Sequence, residues 1–289
     1  MKSVRLPAYA KVNLGLSIMG KRADGYHEIE TVMHQIQLHD IVQVSLTDGR
    51  EIVMRCNDSR IPIDGRNLCC RAARAIEGKA GYEIGVDIQL TKNIPVGAGL
   101  GGGSSDAAAV LRALNKLLQL QYSRMDLEEM AARLGSDVPF FVGGEPAIAS
   151  GRGEKLQKVD FNLGGLTVVV VYPGVEISTT WAYSKLNLNL TIKKKKTTLT
   201  SYNGKNVKEI DFPGVAPNDF EEAIFPSYPH LLTVKQVLLL SGAVYASLSG
   251  SGSVVFGVFD GSVDVGAVKK MLSGQGDVYL TQFVSGGNF

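Results

Sequence analysis

Between Pro95 and Ser105 the chain reads PVGAGLGGGSS, with five glycines in the seven residues from Gly97 to Gly103, and no other stretch limits the fold as strongly. It stands between GVDIQLTK (85–92), which alternates as a strand, and DAAAVLRALNKLLQL (106–120), an apolar-periodic helix. A linker is not placed there. Without Cβ atoms, the backbone N–H groups of such a loop can turn toward one point. The free N–H groups and positive dipole end of the next helix face the same point. That arrangement binds phosphate. Two named templates fail. Gly97-Ala98-Gly99-Leu100-Gly101-Gly102 satisfies G-x-G-x-x-G, but four strand signals precede it. Leu120, Gln121 and Tyr122 stand where the dinucleotide fingerprint needs an acidic residue. A Walker A loop ends Gly-Lys-Ser/Thr, and this one ends Gly-Ser-Ser.

The remainder of the 289 residues reads as a soluble two-part chain. Strand patterns cover 12–19, 29–38, 41–46 and 51–56, with a helix after Asn67 over 68–78. A second helix is expected from Asp126 to Leu134, with Asp126 and Glu129 in capping-box spacing. Later strands fall at 166–172, 244–248, 254–259 and 278–283, and helices at 219–223, 231–241 and 265–272. A composition shift near 144–165 divides the chain into domains 1–160 and 161–289, the second of β-α-β kind. Residues 186–212, with Lys193 to Lys196, read as a solvated surface excursion. Thirty Lys+Arg against 28 Asp+Glu leave a charge of +2, which argues against a nucleic-acid partner. The longest strongly apolar run, Leu166 to Tyr172, is far short of the roughly 20 residues that span a bilayer. Three cysteines, Cys69 and Cys70 adjacent, make no disulfide framework and fit a reducing cytoplasm.

Several residues have chemistry that packing alone does not account for. Asp137, in GSDVPFF, and Lys11, in the first strand, both stand among apolar neighbours, where a lone charge is costly. Asp137 could instead cap the turn before Pro139, and Lys11 could snorkel to solvent. Asn13 shares the strand face of Lys11. RADGYHE is a plausible hairpin turn. Its Tyr26 and His27 also suit a base, one by stacking and the other by hydrogen bonding to the base edge. Asn67 serves equally as an N-cap, and Lys92 as a solvated strand end. No Asp/Glu cluster marks a protein-held metal.

PVGAGLGGGSSDAA resembles the phosphate-loop motif of the galactokinase, homoserine kinase, mevalonate kinase and phosphomevalonate kinase (GHMP) superfamily. The resemblance continues in AYAKVNLGLSIMGKRADGYHEI, LGSDVPFF and SLSGSGSVVFGVF. AKVNLGL together with RADGYHE is similar to the branch acting in the non-mevalonate isoprenoid precursor pathway. There the 2-hydroxyl of a cytidine-diphosphate-linked methylerythritol is phosphorylated. The resemblance implies an α+β chain with a ribosomal-S5-like N-terminal β-α nucleotide domain and a ferredoxin-like C-terminal domain, the active site lying between them. It implies an ATP-dependent phosphotransferase, with Mg²⁺ carried on the nucleotide and touching Ser104 or Ser105. ATP would lie on Pro95, Val96, Gly97, Ala98, Gly99, Leu100, Gly101, Gly102, Gly103, Ser104 and Ser105, with Asn67 and Lys92 at the adenine and ribose. Asp137 would be the general base and Lys11 its partner, lowering the pKa of the hydroxyl. Tyr26 would stack on cytosine and His27 bond it, Tyr183 would cover the opposite face, and Thr179 and Asn13 would contact the substrate. A second glycine turn, with Gly250 and Gly252, would support the phosphate loop or the substrate diphosphate. Other readings are a homoserine or mevalonate type kinase, or a non-catalytic nucleotide- or RNA-binding module on the same fold. A monomer or weak homodimer is expected.

Overall fold

The computed structural model describes residues 2–160, 163–186 and 217–287. Most of the expected polar excursion, with Lys193–Lys196, lies outside them. The chain begins with two long antiparallel strands, β1 (Ser3–Lys21) and β2 (His27–Leu46), joined at the RADGY turn. Sequence pattern breaks the second into two pieces, 29–38 and 41–46, yet β2 runs unbroken through His39 and Asp40. A bulge absorbs the irregularity: Tyr9 pairs His39 while Ala10 pairs Ile36. Asp40, in the gap between the two expected pieces, is fully buried. The length of β2 lets it serve three partners. Its end, Ile41–Leu46, also pairs β4 (Val86–Thr91), and Ile29–Met33 pairs β5 (Ala147–Gly151). With β3 (Ile52–Cys56) and β6 (Lys155–Lys158) the order is β3-β4-β2-β5-β6, and β1 lies on β2.

Four helices accompany this sheet. Helix α1 (Leu68–Ala80) starts at the Asn67 cap and ends at Gly81 with φ 81°. Helix α2 (Gly102–Leu117) begins four residues before the expected Asp106, so the last glycines of the loop are already helical. Helix α3 (Arg124–Leu134) starts two residues early because the capping box is Ser123 with Asp126, not Asp126 with Glu129. Then comes α4 (Val138–Gly143). Alanines of α2 (Ala107, Ala108) with Leu111, Phe140 and Phe141 share one core with Val42, Val44 and Ile88 of the sheet.

The second sheet contains β7 (Thr167–Tyr172), β8 (Tyr245–Leu248), β9 (Val255–Phe259) and β10 (Asp277–Gln282). Helices α5 (Thr179–Ser184), α6 (Phe220–Ile224) and α7 (Pro229–Leu240) lie between β7 and β8, and α8 (Val265–Met271) between β9 and β10. Its antiparallel order, β10-β7-β9-β8, is 4-1-3-2 in chain order, the ferredoxin-like arrangement. The two sheets are drawn from residues 3–158 and 167–282.

LTVVVVY is an unbroken apolar run because β7 is buried on both faces. Val169 and Val171 pack under α7, against Leu231 and Leu238. Val168 and Val170 face the first sheet, against Val12, Ile36, Ala98 and Leu100. The glycine loop thus lies at the seam between the sheets. Ser249 Oγ donates to Gly99 O at 2.9 Å and Val254 N to Ala98 O at 3.2 Å. Gly99 has φ +80°, and a Cβ on it would meet Ser249 O at 2.2 Å. Only glycine lets these two backbones touch. Gly99→Ala is therefore expected to cost about 2–3 kcal/mol through strain and overpacking. The melting temperature should fall by roughly 4–10 °C in thermal unfolding; an unchanged value would mean that the seam is not close-packed here.

Candidate active site

Lys11 sits in the middle of β1, and its backbone N donates to Leu100 O at 2.9 Å, which ties the glycine loop to the strand. A Cβ on Gly101 would lie 2.7 Å from Phe141 Cζ and 3.2 Å from Lys11 Cγ, so the lysine stem passes where any larger residue would stand. The ammonium is buried and does not snorkel. It donates to Asn13 Oδ1 at 2.6 Å and faces Asp137 Oδ2 at 3.7 Å. Asn13 Nδ2 donates to Thr31 Oγ1 at 3.0 Å, and Thr31 Oγ1 donates to Gly15 O at 2.5 Å. This row of bonds fixes the rotamers of Lys11 and Asn13. Burial lowers the Lys11 pKa while the charge of Asp137 raises it. Asp137 occupies the N-cap position of α4 without capping it. Its side chain is 35% exposed against 5% for Lys11, so the carboxylate is the open member of the pair.

That carboxylate faces a cleft of about 760 Å³, lined by residues of both sheets' halves of the chain, Tyr26 and His27 from one and Thr179, Tyr183 and Phe220 from the other. Tyr183 lies flat on His27, with centroids 4.4 Å apart at 11°, and edge-on to Phe220 at 4.9 Å. Tyr26 and Tyr183 both line this cleft. His27 and Phe220 offer Tyr183 a partly buried apolar surface, and burial pushes its phenol up to about 12. Tyr26 stays 55% exposed. Burial and the charge of Lys21 lower the His27 pKa. Neutral imidazole has one donor and one acceptor nitrogen, as a base edge requires.

A second cavity of about 380 Å³ lies across the glycine loop, walled by Ile61, Pro62, Leu68, Leu90 and residues Pro95 to Ser104. Gly99 and Gly101 line both cavities. The loop is a shared wall. Gly97, Gly99 and Gly101 all have positive φ, 66°, 80° and 71°, the backbone of an anion-binding nest. Ser104 lines the cavity from the first turn of α2, while Ser105 is buried behind it. Asn67 and Lys92 are on this wall, but their polar atoms are already partnered. Asn67 caps α1, accepting from Cys69 N at 2.8 Å and donating to Pro62 O at 2.7 Å. Lys92 is not a solvated strand end: its side chain is buried, bonded to Asp40 and, at 2.9 Å, to Asp106.

The 249–253 turn completes the seam. Ser251 and Thr179 hydroxyls are 3.0 Å apart. Asn218 Nδ2 donates to Leu248 O at 2.8 Å and Gly250 O at 2.7 Å, and Asp219 Oδ2 accepts from Ile18 N at 2.8 Å. Sequence reading took Asp219 only as a helix start and did not single out Asn218, Lys21, Ser136 or Arg152. The Asn-Asp pair before buried Phe220 was the available signal for Asn218. Cys69 and Cys70 are free and buried on α1. Among the described residues no group of three or more His, Cys, Asp and Glu is placed to hold a metal ion, and no helix is long and apolar enough to cross a membrane.

Two sheets, a glycine nest at a helix start and, beside it, a buried lysine facing an open aspartate define a kinase of the GHMP class. The description "GHMP kinases N terminal domain" matches residues 67–145, and "GHMP kinases C terminal" matches 204–278. A 4-diphosphocytidyl-2-C-methyl-D-erythritol kinase of Prosthecochloris aestuarii is 42% identical over 279 residues, 94% of this chain and 95% of the relative. One of Chlorobium phaeobacteroides is 46% identical over 264 residues, 90% of each chain. A crystal structure of 4-(cytidine 5'-diphospho)-2C-methyl-D-erythritol kinase matches with TM-score 0.79 at 32% identity, covering 98% of this chain and 100% of that one. A homoserine kinase from Cytophaga hutchinsonii, at 22% identity, shares the fold with TM-score 0.75 over 99% of this chain and 96% of its own. The chain belongs to the 4-diphosphocytidyl-2-C-methyl-D-erythritol kinase family.

The Lys92 cluster carries a pH signature. Burial, with the negative charge of Asp40 nearby and against the pull of Lys92, pushes the Asp106 carboxyl up to about 8. In the unfolded chain an aspartate titrates near ~3.9. Between those values the folded protein holds a proton that the unfolded chain has released, so stability falls as pH rises through that window. Urea midpoints measured from pH 5 to 8 should decline, and Asp106→Asn should flatten the decline. Equal slopes in both proteins would contradict this assignment.

Proposed function

We propose that this chain transfers the γ-phosphate of ATP to the 2-hydroxyl of 4-diphosphocytidyl-2-C-methyl-D-erythritol. The observation that carries the reading is one wall, Gly99 and Gly101, shared by two cavities, with the Lys11–Asp137 pair on its cleft side. ATP belongs in the smaller cavity, adenine among Ile61, Pro62 and Leu68, with the phosphates on the loop N–H groups and the start of α2. Asp137, half-exposed to the cleft, takes the proton of the attacking hydroxyl. Lys11 compensates the developing oxyanion and steadies Asp137, and Asn13 holds its ammonium in place. The Ser104 hydroxyl at the cavity is a hard oxygen donor that fits Mg²⁺ carried in on the nucleotide, and such an ion neutralises phosphate charge.

Tyr26, His27 and Tyr183 form the aromatic end for cytosine, with Thr179 and Asn13 along the substrate. That end separates this reading from a homoserine or mevalonate kinase, whose acceptors have no base to stack. A non-catalytic module would have no use for a buried ammonium facing a half-open carboxylate. Residues 1–160 would supply the ATP site and part of the cleft, and 161–289 the rest of the substrate site. Both cavities come from one chain, as a monomer or weak homodimer requires. Three free cysteines fit work in a reducing cytoplasm.

With Mg·ATP and a panel of alcohols, ADP release is expected only with the cytidine-linked substrate. Release with homoserine or mevalonate would redirect the assignment. Asp137→Asn should lower kcat by about 10²–10⁴-fold while ATP still binds; near-normal turnover would remove Asp137 as the base. His27→Ala should weaken cytidine binding, and a change confined to ATP affinity would mean that the cavities are interchanged.

A further inference from the structure

The β5–β6 turn, residues 152–154, lies between the two ends of the cleft. At one end the Arg152 guanidinium sits over the Tyr26 ring, with Cζ 4.8 Å from the centroid. At the other, a Cβ on Gly153 would lie 3.7 Å from Asp137 Oδ1. The turn therefore spans the interval from the base platform to the proposed general base. In the substrate assigned above, the group that fills this interval is the diphosphate.

Charge in the cleft agrees. Its charged lining residues are Lys11, Lys21, Arg152 and Asp137. Lys11 is matched by Asp137, which leaves Lys21 and Arg152 as the other cations of the cleft, Arg152 with the carboxylates of Glu154 and Asp24 nearby. Arg152 is the preorganised one of the two. The ring of Tyr26 holds the guanidinium in place, and Gly151 and Gly153, with φ +73° and +109°, set the tight turn that carries it. Its ion pair with Glu154 is 4.0 Å, longer than a hydrogen bond, so its forked N–H donors are not consumed. Phosphate oxygens match that fork. The 249–253 turn is fastened to Gly99 and lines the cleft through Gly250 and Ser251, but it carries no cation.

We propose that Arg152 grips the diphosphate of the substrate, between cytosine on Tyr26 and the reacting hydroxyl at Asp137. This rests on the cytidine reading of the cleft. Tyr26 then bears the base on one side and orients the cation that binds the neighbouring phosphates, so affinity for base and diphosphate is built from one turn and one ring.

Calorimetric binding of cytidine and of cytidine 5'-diphosphate tests it, with the ATP cavity filled by a non-hydrolysable ATP analogue. The side chain is 37% exposed on a surface turn, so Arg152→Ala leaves the core intact. The variant should bind cytidine 5'-diphosphate about 10- to 100-fold more weakly, the effect of losing charge-assisted hydrogen bonds. Its affinity for cytidine should be unchanged, and Arg152→Lys should recover part of the loss. In turnover, KM for the full substrate should rise by a larger factor than kcat falls. Equal losses for cytidine and cytidine 5'-diphosphate would overturn the assignment, because Arg152 would then act only by supporting the Tyr26 ring. No loss for either would place the diphosphate elsewhere. Wild-type protein that bound neither ligand would overturn the cytidine reading of the cleft, and this assignment with it.

Discussion

An ammonium buried to 5% exposure is the feature around which the rest of the molecule is arranged. Taking such a charge out of water costs several kcal/mol unless it is paired and hydrogen-bonded. The pair is deliberately unequal: Asn13 holds Lys11 from within the strand layer, while Asp137 faces it from the first residue before α4 and remains open to the cleft. The fixed partner is the cation, and the open partner is the group proposed to meet a hydroxyl. A carboxylate buried as deeply as the lysine could not reach substrate, and a lysine as exposed as the carboxylate would be hydrated and screened.

The glycine loop converts that pair into a site. Gly101 leaves room for the Lys11 stem, Gly99 lets the 249–253 turn press against the loop, and the loop's positive-φ residues line the adjoining cavity. One short segment therefore couples the two sheets and divides the two cavities. The common core beneath it, where Val168 and Val170 meet Val12, Ile36 and Leu100, holds the halves in register. Asn218 and Asp219 reinforce the same seam with hydrogen bonds to both sides. Gly99 and Gly101 thus stand where close contact leaves no room for a side chain.

What the sequence made legible was local. Alternation, capping chemistry and the glycine run placed the loop, α1 and the strands of the second sheet to within a few residues, because those signals reside in neighbouring positions. Long-range pairings were not legible. Asp40 read as a break in a strand, yet Asn93 N and Ile94 N donate to its Oδ1 at 2.6 and 2.8 Å and Lys92 pairs with its other oxygen. Those partners lie about fifty residues away, so periodicity holds no trace of them. The same cause hid Lys92, which pattern alone left in solvent, and Arg152, which becomes a cleft residue only when β5 pairs with β2. The packing of Tyr183 on His27 and Phe220 is likewise a tertiary contact that its motif does not encode.

The most direct test is a double-mutant cycle on Lys11 and Asp137, read as kcat for the cytidine-linked substrate. If the two side chains act as one unit, Lys11→Met and Asp137→Asn each remove most of the rate, and the double variant is little slower than the worse single one. Losses that instead multiply, so that the double variant shows the product of the two factors, would mean that the pair does not function as a unit.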